Sequence, residues 1–327
     1  MRATELGRSG VKVTDLGFGA AALGNLFTPV GDDEGAAAVD AAWSVGIRYF
    51  DTAPHYGLGL SERRLGQALA GRPRGEFTVS TKVGRLLEPL AESDGDDLEH
   101  GFAVPATHRR VWDFSADGVL RSIEASLTRL GLDAVDIVYL HDPDDHLDQA
   151  LREAYPALER LRSEGVVRAI GAGMNQSAAL ARFVRETDVD AVLLAGRYTL
   201  LDQTSLADLL PAAAERGASV VAGGVFNSGL LADPRPGATY DYTTAPPALV
   251  ERALELKGVA ERHGLPLRAA ALRFPFGHPA VAGVLVGARS AAEVRDAAAM
   301  LAEPVPEALW QDLFPAGVPV PGRPSPV

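Results

Sequence analysis

The sequence predicts an α/β protein, a closed (β/α)8 barrel of the TIM type, with an N-terminal β-hairpin capping the barrel floor and long loops at the C-terminal face. Three observations carry that expectation. Helical stretches recur, each ended by glycine and followed by an apolar run: Gly46 before IRYF, Gly131 before AVDIVYL, Gly165 before VVRAI and Gly217 before ASVVA, with Gly71 and Gly75 ahead of FTVST. Glycine takes the left-handed conformation that ends a helix without a Cβ penalty. The apolar runs lack strict alternation, as expected of parallel strands covered by helices. Eight such units in 327 residues favour a closed barrel over the open doubly wound sheet that the same alternation also allows.

Taken in order, RATELGRSGVKVTDLG reads as a hairpin with Arg8-Ser9-Gly10 as its turn. Strands are expected near 15–19, 47–51, 77–82, 135–141, 167–172, 190–195, 218–222 and 282–286. Helices are expected at 33–45, 61–70, 115–130, 148–164, 177–186, 205–216, 247–263 and 290–301, the last with Ser290 as N-cap. Residues 265–278 have room for a further short helix. After a short helix at 307–313, the proline-rich tail from Pro304 to Val327 reads as a surface-hugging loop.

Two insertions interrupt this grammar. Residues 83–114 show no helical period, carry six acidic residues from Glu88 to Glu99, and end in His108-Arg109-Arg110 and Trp112. A loop of that length in a compact domain is a functional lid or is disordered. Residues 223–246, rich in glycine and asparagine around Gly229, suit a backbone cradle for phosphate. Both follow strand ends, on the face where sites of this fold lie.

The chain is expected to form one domain over residues 1–327. Without cysteine it has no disulfide, thiolate metal site or cysteine nucleophile. The N-terminus lacks the apolar core of a signal peptide, and no run reaches the roughly 18 apolar residues of a membrane span, so a cytoplasmic protein is expected. A net charge of −12 argues against nucleic acid or an anionic membrane as the main partner. The composition leaves oligomeric state open.

Chemistry concentrates in GIRYFDTAPHYGLGLSERRLG, residues 46–66. Asp51 stands at a strand end, Tyr56 in the loop opened by Ala53-Pro54, and Ser61-Glu62 begins a helix. Only three of the 31 basic residues are lysines, Lys12, Lys82 and Lys257. Lys82 ends an apolar strand, where a buried ammonium needs a partner and where lysine, unlike arginine, can tune its pKa. A metal site from His141, Asp142, Asp144, Asp145 and His146 is not expected, because adjacent residues in a proline-containing loop diverge.

Asp51 and Tyr56 in this wording resemble the first signature of the aldo-keto reductases, whose tetrad also takes a Lys and a His from the next two strand ends. FTVSTK ends at Lys82 and VDIVYLH at His141. The likeness covers nearly the whole chain, and TAPHYGLGLSERRLG with SIEASLTRLGLDAVDIVYLHDP looks most like the branch that oxidises free aldoses, the L-fucose or D-threo-aldose 1-dehydrogenases. Neighbouring strand ends bring Asp51, Lys82 and His141 to one point beneath Tyr56. Lys82 is then expected to lower the Tyr56 pKa below its ordinary value of about 10, while Asp51 compensates Lys82.

The resemblance implies a nicotinamide cofactor extended over the barrel mouth, with NAD preferred and NADP possible. No Gly-x-Gly-x-x-Gly follows the first strand, so Gly19 enters only as a rim residue. The usual Ser-Asn pair after strand five reads Gly171-Ala172-Gly173-Met174-Asn175, leaving Asn175 for the carboxamide. The aromatic usual after strand seven is replaced by Ala222-Gly223-Gly224, with Phe226 the nearest ring. Gly287 and Glu293 stand where NADP-binding relatives carry Lys and Arg, and Arg289 is the cation nearby. The expected substrate is a small sugar such as L-fucose, D-arabinose or L-galactose, oxidised at its anomeric hydroxyl, with Trp112 over its face and Arg197 on its hydroxyls. Pyridoxal 4-dehydrogenase and NADPH-dependent carbonyl reductase are the alternatives, and a non-catalytic dinucleotide-binding subunit is a third.

Overall fold

Each of the eight apolar runs forms a strand, and the eight close on themselves. A computed structural model describes residues 1–92, 95–315 and 317–319. The chain opens with the hairpin of β1 (Ala3–Glu5) and β2 (Lys12–Thr14). Barrel strands β3 (Leu16–Gly19), β4 (Tyr49–Asp51) and β5 (Thr78–Val83) follow. The chain then leaves the barrel as β6 (Arg85–Pro89), β7 (Asp96–Asp97), β8 (Phe102–Pro105) and β9 (His108–Trp112). It returns as β10 (Ile137–His141), β11 (Ala169–Met174), β12 (Ala191–Ala195) and β13 (Ser219–Gly223). A second excursion, β14 (Thr239–Tyr240) and β15 (Thr243–Thr244), precedes β16 (Val281–Gly287). The barrel order is β3-β4-β5-β10-β11-β12-β13-β16, with β16 paired back to β3 and every neighbour parallel.

Helices α1 (Asp32–Ser44), α2 (Leu60–Leu69) and α3 (Ala116–Leu130) cover the first half of the barrel. The expected helix at 148–164 is divided into α4 (Leu147–Gln149), a π turn (Ala150–Ala154) and α5 (Tyr155–Ser163). Pro156 has no N–H to give and its ring crowds the carbonyl of the preceding turn, which accounts for the widened turn. After α6 (Ser177–Glu186), the expected helix at 205–216 starts as a 3₁₀ turn, and α7 (Leu209–Arg216) begins only at Leu209. Pro211 excludes a continuous helix through 207, and Asp208 caps the new start by accepting from the Leu209 N–H at 2.5 Å. Then come α8 (Pro247–Arg262), the extra helix α9 (Leu267–Arg273), α10 (Ala291–Ala302) and α11 (Glu307–Leu313). The tail is more than a loop as far as it is described: Leu309, Trp310, Leu313 and Val318 are buried. Residues 320–327 lie outside the described residues.

Strand alternation sorts side chains between the barrel interior and the helical layer. In β4, Phe50 joins the outer core while Tyr49 points inward, and in β10 Val138 and Leu140 face out while Ile137 and Tyr139 face in. The interior is filled by Leu6, Val11 and Val13 from the hairpin together with Tyr49, Ile137, Tyr139, Ala169, Ala191, Leu193, Val221, Ala282 and Leu285. The hairpin therefore seals the floor. Two tyrosines fit inside because their neighbours have no side chain: a Cβ on Gly17 would lie 2.7 Å from the Tyr49 ring, and one on Gly171 would meet Ala191 O and Tyr139.

Of the two expectations for 83–114, a lid or disorder, the described residues exclude disorder. β6 pairs antiparallel with β9 from Arg85↔Trp112 to Pro89↔His108, β7 pairs with β8, and Leu26 bridges to Phe102. The described part of the segment is a β ribbon anchored to the loop after β3, where Ala103 N–H donates to Asn25 O and Gly101 O accepts from Phe27 N–H, with Phe102 and Val104 buried on Leu58.

Candidate active site

Asp51, Lys82 and His141 occupy inward-facing positions at the mouth ends of three adjacent strands, and all three are buried. Lys82 Nζ donates to Asp51 Oδ2 at 2.6 Å, to Thr52 O at 3.0 Å and to Tyr56 Oη at 3.1 Å, so its three protons are all placed. Asp51 Oδ1 accepts from Ser80 Oγ at 2.7 Å. Ser80 in turn lies 3.1 Å from Tyr49 Oη, itself 3.3 Å from Tyr139 Oη, which ties the ion pair to the barrel interior. The Tyr56 and His141 rings stand edge to face, 5.8 Å apart at 89°. Tyr56 is delivered by a tight loop whose Gly57, Leu58 and Gly59 all have positive φ. Gly24 packs so closely beneath that a Cβ there would lie 2.6 Å from the Tyr56 carbonyl carbon.

Burial decides the protonation of this cluster. The Tyr56 phenol is pushed up to about 12 by loss of solvent, with Lys82 opposing and Asp51 reinforcing the rise. The expected lowering below the ordinary value does not occur, because desolvation of the phenolate outweighs one adjacent ammonium that Asp51 already offsets. Burial alone would lower Lys82, but Asp51 and Tyr56 hold it above its ordinary value as an ammonium. His141 is driven well below the usual imidazole range by burial and then by Arg85 and Lys82, so it is a neutral hydrogen-bond donor.

Around this centre stand groups outside the expected tetrad, among which Arg85 carried no expectation from the sequence. Arg85 is ion-paired to Asp142, the residue directly after His141, and its guanidinium lies 4.4 Å over the Trp112 ring. His55 accepts from Arg110 Nε at 2.5 Å, and Arg110 also binds Asp97 through both carboxylate oxygens at 2.7 and 2.5 Å. The His55 ring, 5.7 Å from that of His141, is pushed down to about 2 by burial and the nearby cations, so it too is neutral. Its Nδ1 accepts, so the proton is on Nε2. At the entrance, Phe27 from the loop after β3 meets Tyr242 from the β14–β15 turn, 5.8 Å apart, both on left-handed backbone.

The remaining residues expected from the sequence divide into two sets. Gly19 and Gly287 pair across β3 and β16 at the rim, Asn175 directly follows β11, and Phe226 and Gly229 lie in the turn after β13. Phe226 packs partly against the main core. Glu293 accepts from the Arg289 N–H at 2.8 Å, at the N-terminus of α10, where Ser290 Oγ accepts from the Glu293 N–H. By contrast, Arg197 is tied to Asp241 at 2.7 and 3.0 Å, and Trp112, although 45% exposed, carries Arg85 against its ring and stacks on Phe114.

An eight-stranded barrel with a buried carboxylate, ammonium, phenol and neutral imidazole at its mouth is the setting of an acid–base oxidoreductase. The chain belongs to the aldo/keto reductase family, whose model matches residues 15–313, and it is an oxidoreductase. It is 49% identical over 313 residues to D-threo-aldose 1-dehydrogenase of a Pseudomonas species, covering 94% of this chain and 95% of that one. It is 39% identical to pyridoxal 4-dehydrogenase of Microbacterium luteolum, with 96% of each chain covered. Among solved structures, the holo form of an aldo-keto reductase from Bacillus halodurans superposes with a TM-score of 0.76 at 28% identity, covering 97% of this chain and 96% of that one.

The family uses nicotinamide cofactors, and the residues at the mouth suit one. None of the clustered side chains can carry a hydride. Gly224 and Gly229 have positive φ, with open space where a Gly229 Cβ would stand. Asn227 Oδ1 and Arg289 Nε are buried without a hydrogen-bond partner among the described residues. No helix among those residues is long and apolar enough to cross a membrane.

Proposed function

We propose that this chain is an aldose 1-dehydrogenase, oxidising the anomeric hydroxyl of a small sugar such as L-fucose, D-arabinose or L-galactose to the aldonolactone. The observation that carries the reading is Tyr56 Oη held 3.1 Å from Lys82 Nζ beside a neutral His141, which supplies one proton carrier and one oxygen-orienting donor at a single point. His141 donates to the C1 oxygen and orients it toward Tyr56. Tyr56 takes the hydroxyl proton in oxidation and returns it to a carbonyl oxygen in reduction. Tyr56 must therefore be a phenolate before it takes the proton and becomes one again when it gives the proton away; Lys82 stabilises that phenolate, and Asp51 keeps the ammonium in place. The nicotinamide, when bound, takes up the hydride that C1 releases.

NAD is the preferred dinucleotide in this reading. Glu293 already places a carboxylate at the α10 N-terminus, where it repels a 2′-phosphate, and Gly287 offers no compensating charge. Asn175 holds the carboxamide, Gly19 and Gly229 line the rim, and Arg289 is a cation in that neighbourhood available to NADP. The 39% identity to a pyridoxal 4-dehydrogenase supports a second reading, oxidation of pyridoxal by the same tetrad.

A panel of aldoses and pyridoxal, assayed with NAD and with NADP by absorbance of the reduced cofactor, separates the two. The proposal expects aldose turnover with NAD as the better cofactor. Turnover of pyridoxal alone would replace it, and a silent panel with tight cofactor binding would favour a non-catalytic dinucleotide-binding subunit.

A further inference from the structure

We propose that Arg85 and Asp142 together read the hydroxyl next to the reacting carbon, so that the site selects 2-hydroxy aldehydes and their ring forms over the 2-deoxy analogues. The inference rests on the aldose reading and names the contact that would make the site a sugar site rather than a general carbonyl site.

Asp142 directly follows His141, and its Oδ2 lies 3.7 Å from His141 Nε2. Its backbone is left-handed at φ 43, fixed by an N–H donated to Gly173 O at 3.0 Å. A non-glycine residue in that conformation is strained and turns its side chain back beside the histidine. Arg85 reaches the same carboxylate from β6. It gets there because Gly84 turns at φ +107, where any Cβ would strike the Phe114 ring. The guanidinium is clamped between Asp142 and the face of Trp112, and its Nε is buried with no partner among the described residues.

An oxygen bound between Tyr56 Oη and His141 Nε2 leaves the oxygen of the next carbon one hydrogen-bond length further along. That position lies beside Asp142, whose side chain is 33% exposed. A hydroxyl there gives its proton to the carboxylate and accepts from the guanidinium, meeting both its donor and its acceptor capacity. A methylene at the same position would leave two charged groups facing an apolar carbon, which is the stronger basis for rejection.

The test compares kcat/KM for 2-hydroxypropanal against propanal in reduction, and for an aldose against its 2-deoxy form in oxidation. It uses the wild type, Asp142→Gly, which tolerates the left-handed backbone, and Arg85→Gln, each checked for folding by thermal unfolding. A hydrogen bond to a charged group predicts a wild-type preference for the hydroxylated member of about ten- to a hundredfold, collapsing toward parity in both variants. If Arg85→Gln does not fold, the Asp142→Gly ratios decide the matter. No wild-type preference, or equal losses on both members of each pair, would overturn the proposal. Failure of the aldose reading is distinguishable: no aldose or 2-deoxyaldose would be oxidised, while the 2-hydroxypropanal-to-propanal ratio would still report on Arg85 and Asp142.

Discussion

At the barrel floor, Leu6, Val11 and Val13 enter from the hairpin and meet the apolar side chains of Ile137, Ala169, Ala191 and Ala282. At the mouth of the same barrel, Asp51 and Lys82 are buried to nearly the same degree, at 3% and 2% exposure, as an ion pair. The floor needs nothing but shape, because apolar groups gain from leaving water. The mouth loses hydration free energy, and the ion pair is tolerable only because every Lys82 proton has an acceptor and Asp51 is held on both oxygens. The contrast assigns stability to one end and chemistry to the other.

The strongest way to break that division is Tyr56→Phe. It removes the proposed proton carrier and one of the three acceptors of Lys82, so turnover should fall roughly 10²–10⁴-fold with cofactor affinity near wild type. A variant retaining more than half the wild-type rate would dissociate the mouth from the chemistry. Next is Lys82→Met, which leaves the Asp51 carboxylate buried without its partner and should cost about 3–5 kcal/mol in chemical denaturation. Adding Asp51→Asn should recover part of that loss, and a double variant no more stable than the single one would show that the pair is not the source. Leu6→Ala at the floor sharpens the other side: a stability loss of about 2–5 kcal/mol, with kcat unchanged for the folded protein. A changed kcat at full folding would couple the two ends.

The framework was legible because it is written locally. Glycine followed by an apolar run marked five of the eight barrel strands and apolar runs alone marked the other three, and strand ends then placed Asp51, Lys82 and His141 together. What was not legible depends on pairing distant in sequence. His55 and Arg110 are 55 residues apart and meet only through the β6–β9 ribbon. That ribbon was read as a loop, a lid or disordered, because a helical period was sought, and a two-residue period is weak over five-residue strands. Arg85 was passed over for the same reason and Asp142 was weighed only as a metal ligand, since nothing local in sequence shows that Gly84 and the His141 turn bring the two together. The sign of the Tyr56 shift was misjudged differently: nearby charges can be counted in a sequence, whereas the depth of burial that outweighs them cannot.

That sign is open to direct measurement in the cofactor-free protein. Tyrosinate absorbance can be titrated for the wild type and for Tyr56→Phe, the difference isolating one phenol. With Tyr56 pushed up to about 12 by burial, the two curves should coincide through pH 10 and beyond, because the phenol keeps its proton while ordinary tyrosines are losing theirs. Oxidation that uses Tyr56 as a base would then accelerate with every rise in pH over that range. A difference signal with a midpoint below about 10 would mean that Lys82, not burial, governs Tyr56, and would contradict this account of the site.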